Sequence, residues 1–193
     1  MTPADSGRVA QTHLASFPGF FLSELGPGFL KLYYRVVCAD QSGIALVAEG
    51  GNGCLTGFVA GTSNPRGFYS RLLKRRWLSF ALAAMPAVLK KPAVIPRLLG
   101  ALRHPGQSPE GGEVAGLYSI GVDPHAQQQG TGKMMLEEFL KEAKSRGCRK
   151  VFLTTDRDGN DRVNFFYLKN GFTLKKSFET AQGRAMNEYW KDI

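Results

Sequence analysis

The sequence predicts an α/β fold of the mixed α+β kind, with one sheet flanked by helices. Three observations predict it. Helix-like and strand-like runs alternate along the chain without internal repeats. The stretch from Glu113 to Asp156 reads strand, glycine turn, helix, strand, which implies a parallel or splayed pair joined by a helical crossover. A chain of 193 residues, 43% of them hydrophobic, suits one domain (1–193) with a full-sized core.

In chain order, Thr2-Pro3 followed by apolar residues at helical spacing predicts a capped helix ending near Phe17-Pro18. A second helix is predicted from about Pro27 to Val37, with the proline in its first turn. Ile44–Gly50 and Cys54–Ser63 are short β-branched and aromatic runs joined by Gly-Asn-Gly, a hairpin signature. Residues 64–112 read as an inserted segment of two or three helices broken at Pro86, Pro92 and Pro96. Glu113–Val122 is long and apolar enough for a buried strand. Met135, Leu136, Phe139, Leu140 and Ala143 then recur at helical spacing until Arg146-Gly147 ends the helix. Lys150–Asp156 is a further buried strand, residues 160–172 carry a short helix, and two late strands form a hairpin around Ala181-Gln182-Gly183.

The net charge of +9 is local. No Asp or Glu lies between Gly50 and Pro109, while nine Lys or Arg do, from Arg66 to Arg103; the remaining 16 cations balance the 16 acids. Two cationic helices could cover the sheet or a homodimer partner. Alternatively Arg71, Lys74, Arg75 and Arg76 beside Trp77, Phe80 and Leu82 meet a membrane surface or a lipid-linked substrate. No RNA- or DNA-binding motif accompanies the charge, so no nucleic acid partner is expected. Cys38, Cys54 and Cys148 lack ligand spacing, as do the three histidines, so no metal is expected and the cysteines read as buried thiols. The first residues lack a secretion signal, which points to a cytoplasmic protein.

The run Gln127-Gln128-Gln129-Gly130-Thr131-Gly132-Lys133, between a strand and a helix, suits an anion, because the first helical N–H groups have no intrahelical acceptors. A nucleotide triphosphate loop fails at Gln127 and Met134, and a dinucleotide fingerprint fails at Met135. What remains, Gln127-x-x-Gly130-x-Gly132 after Val122-x-Pro124, resembles motif A of the GCN5-related N-acetyltransferases (GNAT). Asn160, Tyr167 and Gly171-Phe172 resemble that family's motif B, in the right order and separation.

The resemblance implies a central mixed sheet splayed between the fourth and fifth strands, and acetyl-CoA as cosubstrate. Backbone groups of Ile120, Gly121 and Val122 would pair with the pantetheine arm. Residues Gln127 to Lys133 would hold the diphosphate, and Asn160 the pantetheine, with Asn164 as its alternative. Tyr167 would be the general acid for the departing thiolate. Tyr118 and Gly116 stand where other members carry a Glu or His base, leaving Glu113, Glu24 or a water chain. The implied function is transfer of an acyl group, acetyl or longer, to a primary amine of a small-molecule acceptor, such as an amino sugar or a nucleotide-linked one whose phosphates meet the cationic insertion. A protein N-acetyltransferase and a non-catalytic acyl-CoA-binding or membrane-associated module are the alternatives.

Overall fold

β1 (Gly43–Glu49), β2 (Leu55–Thr62), β3 (Val114–Val122), β4 (Lys150–Asp156), β5 (Thr173–Glu179) and β6 (Ala185–Asp192) form one mixed sheet in the order β1-β2-β3-β4-β6-β5. The computed structural model describes residues 1–51, 53–92, 112–127, 129–180 and 183–193. Only the β3–β4 pair is parallel. Both hairpins occupy the predicted places, although Asn52, Ala181 and Gln182 of their turns lie outside the described residues.

Helices cover both faces. On the front lie α1 (Ser6–Ser16), the short α2 (Phe21–Glu24), α3 (Gly26–Ala39), α4 (Phe68–Arg75) and α5 (Trp77–Lys90). Their core joins Val9, Leu30, Tyr33 and Tyr34 to Phe58 and Phe68. On the back, α6 (Thr131–Ser145) and α7 (Asp161–Lys169) bury Leu136, Phe139 and Tyr167 against Ala115, Val151, Leu153 and Tyr189. The two phases of β2 and of β3 thus feed separate cores, as side-chain alternation requires.

Three local expectations change. α5 runs unbroken through Pro86. The ring lies on the exposed side, late in the helix, and its cost in one lost backbone bond is opposed by Phe80 and Ala84 buried on the inner side. The helix ends just before Pro92; Pro96 lies outside the described residues. Cys148 is buried, but Cys38 is half-buried and Cys54 is exposed, because β2 starts one residue after it. The opening of the sheet falls between the third and fourth strands rather than the fourth and fifth, because two strands precede β3 among the described residues.

His13, on α1, is 3% exposed in the front core. Its Nδ1 lies 2.6 Å from the Tyr34 hydroxyl, and its Nε2 has no partner among the described residues. Burial holds the imidazole down at about 4, from an ordinary 6.5. The unfolded chain therefore binds the proton first as pH falls. Stability should be full above pH ~6.5 and decline by roughly 3 kcal/mol as pH approaches ~4. Asp5, held at about 2 chiefly by the Thr2 backbone N–H and Arg8, adds its own loss only below this window. Urea midpoints measured from pH 7 to pH 4 should fall for the wild type and fall much less for His13→Gln; a flat wild-type profile would contradict the assignment.

Candidate active site

The sheet opens beside β3. This strand pairs with β2 from Gly116 to Val122 but meets β4 only where Val114–Gly116 faces Lys150–Phe152. Against β2 the register slips: Ala60 faces Ser119 and Gly61 faces Leu117, so Tyr118 is an unpaired bulge residue. A bulge bends its strand and sharpens the twist, and beyond it β3 and β4 diverge.

Asp123 donates its N–H to Thr56 C=O at 2.9 Å. Antiparallel alternation then turns the backbone groups of Gly121 toward β2 and those of Ile120 and Val122 toward the opening. Gly121 is therefore corrected: its polar backbone faces β2, and its missing side chain answers to packing, since a Cβ there would lie 2.6 Å from the Phe58 ring. Ser16, at the end of α1, donates its hydroxyl to Val122 C=O at 3.0 Å. Sequence periodicity could not have found this contact, which joins positions 106 residues apart.

The opening leads to the mouth of α6. Asp123 Oδ1 accepts from the His125 N–H at 2.8 Å and sets the single 3-10 turn Pro124–Ala126. Gln127 follows, extended and exposed; Gln128 lies outside the described residues. Gln129 is exposed. Gly130 has φ +80°, a conformation that disfavours side chains, and its carbonyl accepts the first intrahelical bond, from Met134 N–H at 3.0 Å. The N–H groups of Thr131, Gly132 and Lys133 consequently have no intrahelical acceptor, and no side chain caps them. Together with the dipole of a 15-residue helix they suit a diphosphate. A Cβ at Gly132 would make only ordinary contacts, 3.6 Å to Val122 and 3.9 Å to Phe166. The Lys133 ammonium lies 3.7 Å from Glu137, one turn along the helix.

The opposite wall is the end of β4 and α7. Asn160 Nδ2 donates to Thr155 Oγ1 at 2.8 Å and to Asp156 C=O at 3.2 Å, which leaves its Oδ1 for a ligand N–H. Asn164 is buried rather than solvated. Its amide donates to Asp156 and Asn160 carbonyls, and its Oδ1 accepts from Asn187 and from Tyr189 at 2.9 Å. That separates the two asparagines into one with a spare acceptor and one fully engaged. Tyr167 packs edge-on against Phe166 and Phe172, in the same cluster as Ile120, and burial pushes its phenol well above the ordinary value. The hydroxyl has no protein hydrogen bond among the described residues.

Neither candidate base stands free beside the opening. Glu113 pairs with Arg149 at 3.2 Å at the start of β3, about 30 Å of strand from Val122. Glu24 Oε1 is 2.6 Å from Lys91 Nζ. An acid that sequence reasoning missed is Glu188, buried on β6 opposite Thr154, where Trp190 Nε1 donates to it at 2.8 Å and Lys176 lies at 3.4 Å. Its only signal was its place in a strand buried on both phases. Arg71 and Arg75 line a concavity with Asp40, Ser42 and Asn64, at the sheet end where β1 begins. Antiparallel register puts that end beside Gly116, away from Val122, so these arginines do not face the helix mouth. Among the described residues no three His, Cys, Asp or Glu side chains gather in a metal-ligand group.

The profile of the Acetyltransferase (GNAT) family matches residues 12–172. A mycothiol acetyltransferase of Nocardia farcinica is 38% identical over 69 residues, 36% of this chain and 22% of that protein. A ribosomal protein bS18-alanine N-acetyltransferase of Salmonella typhimurium is 36% identical over 73 residues, 36% of this chain and 49% of that protein. The chain thus spans less than half of either curated relative it matches. A solved acetyltransferase superposes at TM-score 0.63 and 17% identity, covering 100% of this chain and 96% of its own. The ribosomal-protein-S18-alanine N-acetyltransferase from Escherichia coli does so at 0.60 and 16%, covering 100% and 90%. These structural likenesses are of fold.

Two predictions follow from the walls of the opening. Gly130→Ala strains a left-handed residue and should weaken acetyl-CoA binding about ten-fold, while Gly132→Ala should change it less than about three-fold; calorimetric titration decides between them, and equal losses would count against the helix mouth. Asn164→Ala leaves buried donors unpaired and should cost about 2 kcal/mol in urea unfolding. Asn160→Ala should leave stability nearly intact and raise KM for acetyl-CoA.

Proposed function

We propose, from the premise that this chain belongs to the GNAT acetyltransferase family, that it is an N-acetyltransferase moving the acetyl group of acetyl-CoA directly to a primary amine. The observation that carries the proposal is the junction of an unpaired β3 edge with an uncapped helix mouth. The edge offers backbone groups to an amide-bearing arm, and the mouth offers N–H donors to a diphosphate. Ile120, Val122 and Asn160 would hold the arm; Gly130, Thr131, Gly132 and Lys133 would hold the phosphates, with Gln127, Gln128 and Gln129 leading into them.

Acetyl-CoA supplies the acyl group as a thioester. The protein's part is to hold that carbonyl beside a neutral amine and to return a proton to the leaving sulfur. Tyr167 is assigned the proton. A phenol is protonated at neutral pH, and the Tyr167 hydroxyl has no protein acceptor among the described residues to compete for that proton. Deprotonation of the incoming ammonium is assigned to water, since Glu113 and Glu24 are paired elsewhere.

The acceptor assigned first is a small-molecule amine, with amino sugars the first class to test. Arg71 and Arg75 gather away from Val122 and so do not serve as partners for acceptor phosphates at the opening. A second reading, a protein N-terminus, is favoured by the likeness to the bS18-alanine enzyme. A cytoplasmic location is proposed with both. Thiol release from acetyl-CoA should be measured with an amino-sugar panel and with peptides bearing a free N-terminal alanine. Release with either identifies the acceptor class; tight acetyl-CoA binding without release across both panels would leave the non-catalytic acyl-CoA-binding module.

With the working acceptor, Tyr167→Phe should lower kcat about 100-fold and shift KM for acetyl-CoA less than about two-fold. A variant with unchanged kcat would remove Tyr167 from the mechanism.

A further inference from the structure

The α5 helix is apolar on an inner and an outer side. Its inner side is occupied: Phe80 and Ala84 are 4% exposed, and the Phe80 ring lies 5.2 Å from Phe29 of α3. Its outer side carries Trp77, Leu78, Leu82, Met85 and Leu89, exposed by 63, 58, 63, 48 and 76%. At 3.6 residues per turn these five side chains fall within an arc of about 140°, so they form one stripe. A helix that is hydrophobic all round ordinarily has both sides covered.

Charge selects what would cover the outer side. Lys74, Arg75 and Arg76 precede the stripe and Lys90 closes it; all four are exposed and none has an ion pair among the described residues. Neither α4 nor α5 contains an acid. A two-fold pairing of α5 with a second copy would bring cations against cations, whether the helices ran parallel or antiparallel. A nucleic acid would meet the cations but leave the stripe bare. An anionic bilayer surface satisfies both, because the cations meet headgroups while the stripe enters the acyl boundary, with Trp77 at the interface. A 14-residue helix is too short to cross, and no helix among the described residues is long and apolar enough to do so.

We propose that the outer face of α5, framed by Lys74, Arg75, Arg76 and Lys90, docks this protein on the surface of an anionic lipid membrane. The helix lies in the plane of the interface and leaves α3 and the sheet outside it. Docking is independent of which amine the enzyme acetylates.

The full chain should be floated with vesicles of phosphatidylcholine alone and of phosphatidylcholine mixed with phosphatidylglycerol. Capture is expected on the mixed vesicles only, decreasing as salt is raised, with a blue shift of tryptophan emission that Trp77→Ala removes. Leu82→Asp with Leu89→Asp should weaken capture about ten-fold or more, and Lys74→Glu with Arg76→Glu should abolish it. All four positions are exposed, so acetyl-CoA affinity and the unfolding midpoint should stay unchanged and show that the variants fold. Failure of the wild type to bind the mixed vesicles at low salt overturns the proposal. So does equal capture of the Leu82/Leu89 variant, which would mean charge alone acts, or a concentration-dependent dimer that those two substitutions dissolve.

Discussion

The feature on which the site depends is the short contact between β3 and β4. The two strands run parallel for three residue pairs and then part, and the unpaired bulge at Tyr118 supplies the bend that parts them. Had β4 followed β3 to Val122, the outward backbone groups of Ile120 and Val122 would be engaged within the sheet and no edge would stand open. Holding an unsatisfied edge inside a protein is costly, so both sides of the gap must be kept in place by something else. On the β3 side this is pairing with β2 from Gly116 to Val122, interrupted only at Tyr118, and the Ser16 hydroxyl on Val122. On the β4 side it is full pairing with β6 and the buried Asn164–Asn187–Tyr189 network, which ties α7 to the sheet.

The same arrangement explains why the two faces differ in chemistry. The back core mixes aliphatic side chains with Phe139, Phe172, Tyr167 and Tyr189, and α6 enters it directly from the turn after β3, so the helix mouth ends up beside the open edge. The front core is aromatic and carries buried polar atoms. Tyr34 meets His13, while His13 Nε2 and the Tyr118 hydroxyl lack partners among the described residues. Such atoms cost free energy in a core, and here they cluster on the face where the bulge lies. The front is thus the side of the sheet with unpartnered buried polar atoms, and the opening separates it from the mouth of α6.

The insertion divides into two parts that charge alone would have merged. α4 turns Arg71 back onto the carbonyls of Asn64 and Arg66, so that cation ties down the chain after β2. Lys91 reaches Glu24 and ties the end of α5 to the α1–α3 connection. Lys74, Arg75, Arg76 and Lys90 precede and close the outer stripe of α5. A count of nine positive charges between Gly50 and Pro109 therefore contains both structural and free groups, which differ only in what lies within hydrogen-bond reach.

Much of this molecule is determined by its sequence. The order of helices and strands, both hairpins, the parallel crossover from β3 to β4 and the glycine turn at the mouth of α6 all follow from short-range rules. Apolar period, positive-φ glycines and helix-end chemistry act over a few residues, and a linear reading can see that far. The continuity of α5 through Pro86, the engagement of Asn164, the orientation of Gly121 toward β2, the burial of Glu188 and the bulge at Tyr118 were decided by tertiary structure. Each depends on a partner remote in the chain: Phe29 beneath Phe80, Asn187 and Tyr189 beside Asn164, Phe58 beneath Gly121, Trp190 and Lys176 around Glu188, and a register slip against Ala60–Gly61. Local propensities specify which elements form, whereas the choice between a free and an engaged polar group is made only when distant strands meet.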